Sequence, residues 1–412
     1  MRTKPWRRRL LLTATALTVI ATVAALTSVA FANPTNTPSG NDSSTPAARA
    51  YAGPSAALYL PRPTGRHPVG ATALYLKDTS RPDPWVAEAN ARELMVSLWY
   101  PARFAGKRRA LYMTATESEL LLKDGGIAGV PYDALSKVRT NAFTDVVPAG
   151  RPRALPLVVL SPGFTKPRST LTAWAEDLAS HGYLVAGIEH TYESVATTFP
   201  DGRVTTCAAC ELPDRTEEFW KEVGRVRAAD VSFVLDELTG SRPAWQGASL
   251  IDPSRIAMAG HSAGGASALA AMAADTRLRA GIDIDGLTHD SVPYTELSRP
   301  FLFLGRQGNF SPGMPSAVSW ERDWARLTGW KRWLLVAGAQ HASFTDVALL
   351  AEQVGLDIGA DLPANRAMEI TRAYVRAFFD LHLRNPHQSI LNGPSPRYPE
   401  VTFCAPEARI CR

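Results

Sequence analysis

The chain has 412 residues, 45% hydrophobic and 20% charged, which suits a globular protein and excludes a disordered or fibrous one. Its 44 lysines and arginines against 39 aspartates and glutamates give a net charge of +5. Arg2, Lys4, Arg7, Arg8 and Arg9 supply that excess, and the rest of the chain is neutral, so bulk charge gives no support to a nucleic-acid partner or an anionic membrane.

The first 32 residues read as an export signal. Arg7, Arg8 and Arg9 form a positive start, Leu10 to Val29 carries no charge, and Ala30-Phe31-Ala32 is a small-x-small cleavage site before Asn33. The apolar run is also long enough to anchor in a membrane; the cleavage site favours removal and a secreted product. Both the general and the twin-arginine export routes fit Arg7-Arg8-Arg9-Leu10-Leu11. Residues 33–57 are rich in Pro, Thr, Ser, Asn and Gly and are expected to form a flexible leader. Residues 58–412 then suit one large catalytic domain.

Strands and helices alternate through that domain. Ala71 to Lys77 reads as an edge strand, and Leu94 to Tyr100 as a second strand stopped by Pro101. Between Phe104 and Arg151 the pattern is weaker, with short helices near Glu117 to Lys123 and Tyr132 to Val138; this stretch is either a cover over the site or a packing insertion. Leu155 to Leu160 and Tyr183 to Ile188 are short and almost wholly apolar, as strands buried on both faces are. Ile256 to Gly260, Ala280 to Ile284, Phe301 to Leu304 and Trp333 to Val336 continue the series. Helices are expected at Leu171 to Ala179, around Val231 to Leu238, and from Ile370 to Leu381. The alternation implies an α/β fold with a mostly parallel central sheet covered by helices on both faces.

Four cysteines, Cys207, Cys210, Cys404 and Cys411, remain in a chain expected to meet an oxidising compartment. Local pairing, Cys207 with Cys210 and Cys404 with Cys411, is preferred among three connectivities. A zinc site at Cys207-x-x-Cys210 would need further ligands, and Cys404 and Cys411 are poorly spaced to supply them. No metal and no cofactor is expected.

The chemistry centres on Gly260-His261-Ser262-Ala263-Gly264-Gly265. A strand-like run precedes it and a run of small helix formers, Ala266 to Ala274, follows. Strand, sharp turn and helix is the setting of a G-x-S-x-G nucleophile elbow, with glycines where strand and helix close up. Serine needs a base, and the base an orienting acid, in the chain order Ser, acid, His for this kind of fold. Asp285 ends the next strand and is preferred as the acid over Asp283, which is expected to share its strand face but lie deeper. His341 follows the strand Trp333 to Val336 in a late loop and is preferred as the base over His67, His181, His261, His289, His382 and His387. The oxyanion donors are expected to be the Ala263 N–H and, because Pro162 cannot donate, the Phe164 N–H of the loop Ser161-Pro162-Gly163-Phe164.

Several segments carry a family resemblance. They are Pro61-Arg62-Pro63-Thr64-Gly65 with Pro68-Val69-Gly70, Val96-Ser97-Leu98-Trp99-Tyr100-Pro101, and Leu155 to Gly163. Asp177-Leu178-Ala179-Ser180-His181-Gly182, Gly187-Ile188-Glu189-His190, the elbow, Gly281-Ile282-x-x-Asp285 and His341-x-x-Phe344 add to them. From about Leu60 to Leu383 the chain resembles bacterial members of the platelet-activating factor acetylhydrolase family, the lipase-like plasma type within the α/β-hydrolases. The resemblance implies a Ser262, Asp285, His341 triad and calcium-free hydrolysis of short or oxidised acyl chains from the sn-2 position of phospholipids. The expected function is therefore a secreted serine ester hydrolase of small lipid-like esters, with transient contact at a lipid surface. The loop Pro162-Gly163-Phe164-Thr165 looks more like secreted lipases and cutinase-type polyester hydrolases. An acyltransferase on the same fold, or a binding protein that lost the chemistry, are the other readings. Glu189-His190 reads as a structural loop or as a pocket lining.

Overall fold

A computed structural model describes residues 57–412. The expected export signal and nearly all of the leader lie outside the described residues. In chain order the elements begin with β1 (Val69–Asp78), β2 (Arg92–Pro101), α1 (Ala115–Asp124), β3 (Leu155–Ser161), α2 (Thr172–Ser180) and β4 (Leu184–Glu189). A small hairpin, β5 (Thr197–Thr198) and β6 (Val204–Thr205), leads to α3 (Glu217–Thr239), β7 (Ile251–His261), α4 (Ala263–Ala274) and β8 (Leu278–Ile284). Then come β9 (Phe301–Arg306), α5 (Gln307–Phe310), α6 (Ala317–Arg326), β10 (Lys331–Val336), α7 (Asp346–Gln353), α8 (Ala364–Phe379), β11 (Val401–Ala405) and β12 (Ile410–Cys411).

One ten-stranded sheet organises the molecule, in the order β1-β2-β4-β3-β7-β8-β9-β10-β11-β12. The run from β4 to β10 is parallel throughout. β1 and β2 on one side, and β11 and β12 on the other, pair antiparallel. Alternate residues of each central strand feed two separate cores. Val158, Leu160, Val185, Ala257, Ile282 and Leu304 pack towards α2 and α8. Leu157, Val159, Leu184, Met258, Phe303 and Trp333 pack towards α3, α4 and α6. Two-sided burial is why these strands are continuous apolar runs, each large side chain contributing about 1.5–3 kcal/mol.

The insertion between β2 and β3 packs as a small unit of its own. Thr114 and Glu117 cap α1 reciprocally, and Leu122, Val130, Leu135 and Val138 join Leu58, Leu60, Leu350 and Val354 in a separate cluster. The second helix expected there is only a single 3₁₀ turn, Ala134–Lys137. Together with β1, β2 and Pro167 to Ser169 the insertion bounds a cavity of about 640 Å³, whose lining includes Glu189 but not Ser262, Asp285 or His341.

Both local disulfides are formed, Cys207–Cys210 and Cys404–Cys411, so these thiols are not available as zinc ligands. The second ties β11 to β12 at a directly opposed pair. Among the described residues no helix is long and apolar enough to cross a membrane.

Candidate active site

The carboxyl ends of β7 and β8 and the loop after β10 build the site. β7 ends at His261, α4 begins at Ala263, and Ser262 between them has φ 57° and ψ −126°. A non-glycine residue in that region is strained, and such strain persists only where neighbours enforce it. They do so here. Ser262 N–H donates to the Ile284 carbonyl at 2.8 Å. A Cβ on Gly260 would collide with the Gly264 carbonyl, and one on Gly264 with the Ser161 carbonyl. Both elbow glycines are therefore fixed by close backbone approach.

Asp285 follows β8 and also has a positive φ, 56°. That turn ends the strand alternation, so the expected common face for Asp283 and Asp285 is not found. Asp283 points into the packing beneath α4 and α6. It accepts from the Gly286 N–H at 3.0 Å and the Trp320 indole at 3.1 Å, and burial pushes its carboxyl well above the usual range. Asp285 turns to the rim instead. Its Oδ2 lies 2.5 Å from His341 Nδ1, and its Oδ1 accepts from the Arg306 N–H at 2.8 Å. Burial opposes the charge on Asp285, but the His341 hydrogen bond and the Arg306 guanidinium outweigh it and hold the carboxyl below its ordinary value.

His341 opens a 3₁₀ turn, His341–Phe344, anchored by the fully buried Phe344 and by reciprocal Gln340–Ser343 bonds. Its side chain is 43% exposed, and its ring lies 4.4 Å, centroid to centroid, from that of His261. His261 Nε2 meets the His341 carbonyl at 2.8 Å, which fastens the late loop to the elbow. Burial, then the neighbouring His341, pushes His261 down to about 3, so it stays neutral. Among the described residues no hydrogen bond joins Ser262 Oγ to His341; such contacts commonly tighten only when substrate binds. The other candidate bases sit elsewhere. His289 meets Glu217 and stacks on Trp220, His181 bonds to the Asp177 carbonyl, and His382 packs on Phe378 and Trp330.

The loop Ser161 to Thr165 lies against the elbow. A Cβ on Gly163 would sit 3.4 Å from Ser262 Cβ. Neither the Phe164 N–H nor the Ala263 N–H is engaged among the described residues. The side chains of Phe164 and Ala263 pack on one apolar cluster with Phe219, Trp220, Trp85 and the Cys207–Cys210 bridge. Phe164 meets Phe219 and Trp220 edge-on at 5.6 and 5.3 Å.

Four residues that matter to this geometry carried no clear sequence signal: Arg306, which faces Asp285, and Arg227, Asp230 and Arg92, which lie behind the loop. Glu189 lines the separate cavity bounded by the insertion, pairs with Arg168, and is raised to about 7 by burial, while His190 is buried behind the Ser161–Thr165 loop.

A mostly parallel sheet with a strained serine at a strand-to-helix turn defines an α/β-hydrolase, and the comparisons with known proteins place it among the carboxylic ester hydrolases. The profile of the family described as platelet-activating factor acetylhydrolase, isoform II, matches residues 52–237 and 211–389, and the chain belongs to that family. It is 28% identical over 379 residues to a probable 1-alkyl-2-acetylglycerophosphocholine esterase of Arthroderma benhamiae, covering 84% of this chain and 93% of that one. It is 25% identical over 363 residues to platelet-activating factor acetylhydrolase of Canis lupus familiaris, covering 79% and 77%. Among solved structures, a ferulic acid esterase from Streptomyces cinnamoneus is 42% identical, with a TM-score of 0.74, covering 85% of this chain and all of that one.

Proposed function

We propose that the protein is a secreted serine ester hydrolase working through an acyl-serine intermediate at Ser262. The observation that carries this reading is the Asp285–His341 pair fastened to the strained Ser262 elbow. His341 Nδ1–H donates to the Asp285 carboxylate, which leaves Nε2 as the basic nitrogen. His341 takes the proton from Ser262 as its Oγ attacks the ester carbonyl. The Phe164 and Ala263 amides hold the oxyanion. The protonated imidazole then gives its proton to the leaving alcohol. Water, activated by the same imidazole, releases the acid and restores the serine. An alcohol in place of water would make the same site an acyltransferase. The two disulfides and the apolar amino-terminal run support export.

Small lipid-like esters with short acyl chains are the first substrate class, supported by the names of the 28% and 25% identical relatives. Esters of aromatic acids are the second, favoured by the Phe164, Phe219 and Trp220 cluster beside Ala263 and by the ferulic acid esterase likeness. A transient lipid-surface contact is supported by Phe104 and Leu111, 80% and 74% exposed, on a stretch that also carries exposed Arg103, Lys107, Arg108 and Arg109. Hydrolysis assays on 1-alkyl-2-acetylglycerophosphocholine and methyl ferulate, with and without an added alcohol acceptor, separate these readings. Turnover of neither, nor of a simple p-nitrophenyl acetate, would overturn the proposal.

A further inference from the structure

A second serine, histidine and aspartate stand in line behind the oxyanion loop. Ser161 Oγ lies 2.9 Å from His190 Nε2, and His190 Nδ1 lies 2.8 Å from Asp230 Oδ2. Asp230 is held in turn by Arg92, at 3.1 and 2.8 Å, and by Arg81 at 2.5 Å. From the other side Arg227 Nη1 donates to Ser161 Oγ at 3.2 Å and to the Pro162 carbonyl at 2.6 Å, while its Nε donates to Glu193 at 2.7 Å. Ser161, His190, Asp230, Arg227 and Arg92 are all at most 1% exposed.

This line cannot be a second nucleophilic centre, because no ester reaches a serine with no exposed surface. Its hydrogen bonds have a definite direction instead. Burial, then the charge of Arg227, lowers the His190 pKa and keeps the ring neutral. His190 Nδ1–H therefore donates to the Asp230 carboxylate, and Nε2 accepts from the Ser161 hydroxyl. The Ser161 oxygen accepts from Arg227. Ser161 thus has its hydroxyl saturated by two groups that approach from opposite elements, α3 and the loop after β4.

The stretch it holds contains the Phe164 amide. Pro162 has its carbonyl turned to Arg227, and the amide donor lies one peptide further on. At the far end Thr165, with φ 68°, donates to the Glu193 carbonyl at 2.9 Å and accepts from Val195 N–H at 3.0 Å. Glu193 is the same residue whose carboxylate takes Arg227. Both ends of a five-residue loop are therefore latched to one buried ion-pair network, and the loop touches Ser262 at Gly163.

Resting on the Ser262 reading above, we infer that Ser161, His190, Asp230 and Arg227 are positioning residues that aim the Phe164 amide at the oxyanion. They touch no substrate; they act through the loop. A preorganised donor is effective because it needs no reorientation as charge develops. Loosening the loop should cost transition-state stabilisation without weakening ground-state binding.

The test uses Ser161→Ala, which removes only the hydroxyl and leaves the ion pairs intact. Thermal stability, p-nitrophenyl acetate kinetics and inhibition by a trifluoromethyl ketone, whose hemiketal needs the oxyanion site, are measured together. The expected result is a fall in kcat of about tenfold with KM changed less than twofold, and a matching loss of inhibitor affinity. Arg227→Lys, which keeps a donor for the Pro162 carbonyl, retains more kcat than Arg227→Met. A Ser161→Ala enzyme with unchanged kcat and inhibitor affinity, whatever its melting temperature, overturns the inference and leaves the Ser262 reading standing. An active Ser262→Ala enzyme in the same assay removes the reading beneath it.

Discussion

Two clusters in this molecule hold the same three residue types in opposite surroundings. Ser161 ends β3, and its register partner on β7 is Gly260, two residues before Ser262. Ser161 lies in regular strand, fully buried, with His190 locked by Asp230 and with Arg227 against its oxygen. Ser262 is lifted by a left-handed backbone to the rim, partly exposed, with a histidine that is itself 43% exposed and supported from behind by Asp285. The presence of serine, histidine and aspartate does not make a nucleophile. Among the described residues, exposure, a basic nitrogen with no partner, unengaged amide donors nearby and no cation on the serine oxygen are what separate the two.

The sharpest way to break this contrast is to remove each hydroxyl. Ser262→Ala should lower kcat by about 10⁵-fold or more with an unchanged melting curve, far beyond the effect of Ser161→Ala. A comparable loss at both serines, or a larger one at Ser161, would erase the distinction. Next in size is the acid. Asp285→Asn should cost roughly 10³- to 10⁴-fold in kcat, because the amide carries no charge to stabilise the imidazolium and its NH2 can hold His341 in the wrong tautomer. Asp283→Asn should lower the melting temperature and leave kcat within a few-fold, since that carboxyl is buried against the Gly286 N–H and the Trp320 indole and does not meet His341. The reverse ranking, read from kinetics and thermal denaturation together, would transfer the role to Asp283.

Removing the base sharpens the comparison further. His341→Ala should cost at least as much kcat as Asp285→Asn, because no other group at the rim then takes the serine proton. His261, with Nε2 on the His341 carbonyl, and His190, held between Ser161 and Asp230, cannot substitute for it. A His341→Ala enzyme that keeps its kcat would contradict the assignment of the base. The smallest expected effect concerns substrate choice. Trp220→Ala should lower kcat/KM for methyl ferulate relative to p-nitrophenyl acetate by roughly three- to tenfold, the equivalent of ~0.5–1.5 kcal/mol of aromatic contact. An unchanged ratio would remove the aromatic cluster from the acyl site.

The central strands are legible in the sequence because burial on both faces leaves no polar residue to confuse the pattern, as in Leu155 to Leu160. α3 is legible only in its second half, Val231 to Leu238. Its first half turns Gly224, Arg227 and Asp230 inward, to Ser291 and to the buried network, so the inner face does not read as apolar. β11 and β12 escape because a five-residue and a two-residue strand carry no usable period. At the site, chain order and strand ends pick out Ser262, Asp285 and His341, and the structure brings them to one rim. Partners that approach from elsewhere leave no local trace: Arg306 on Asp285, the His341 carbonyl on His261, and the Arg227–Glu193 and Arg92–Asp230 pairs. Long-range ion pairs depend on which surfaces meet, and spacing within one segment does not encode that. The expected shared face of Asp283 and Asp285 fails for a local reason, the positive φ at Asp285.

Covalent labelling tests the central contrast most directly. The intact protein is treated with an active-site fluorophosphonate and digested, and the modified serine is located by mass spectrometry. The expected result is a single adduct on Ser262, abolished by Ser262→Ala and slowed when His341 is replaced by Ala. An adduct on Ser161, or no stoichiometric adduct from an enzyme that still hydrolyses esters, would contradict it.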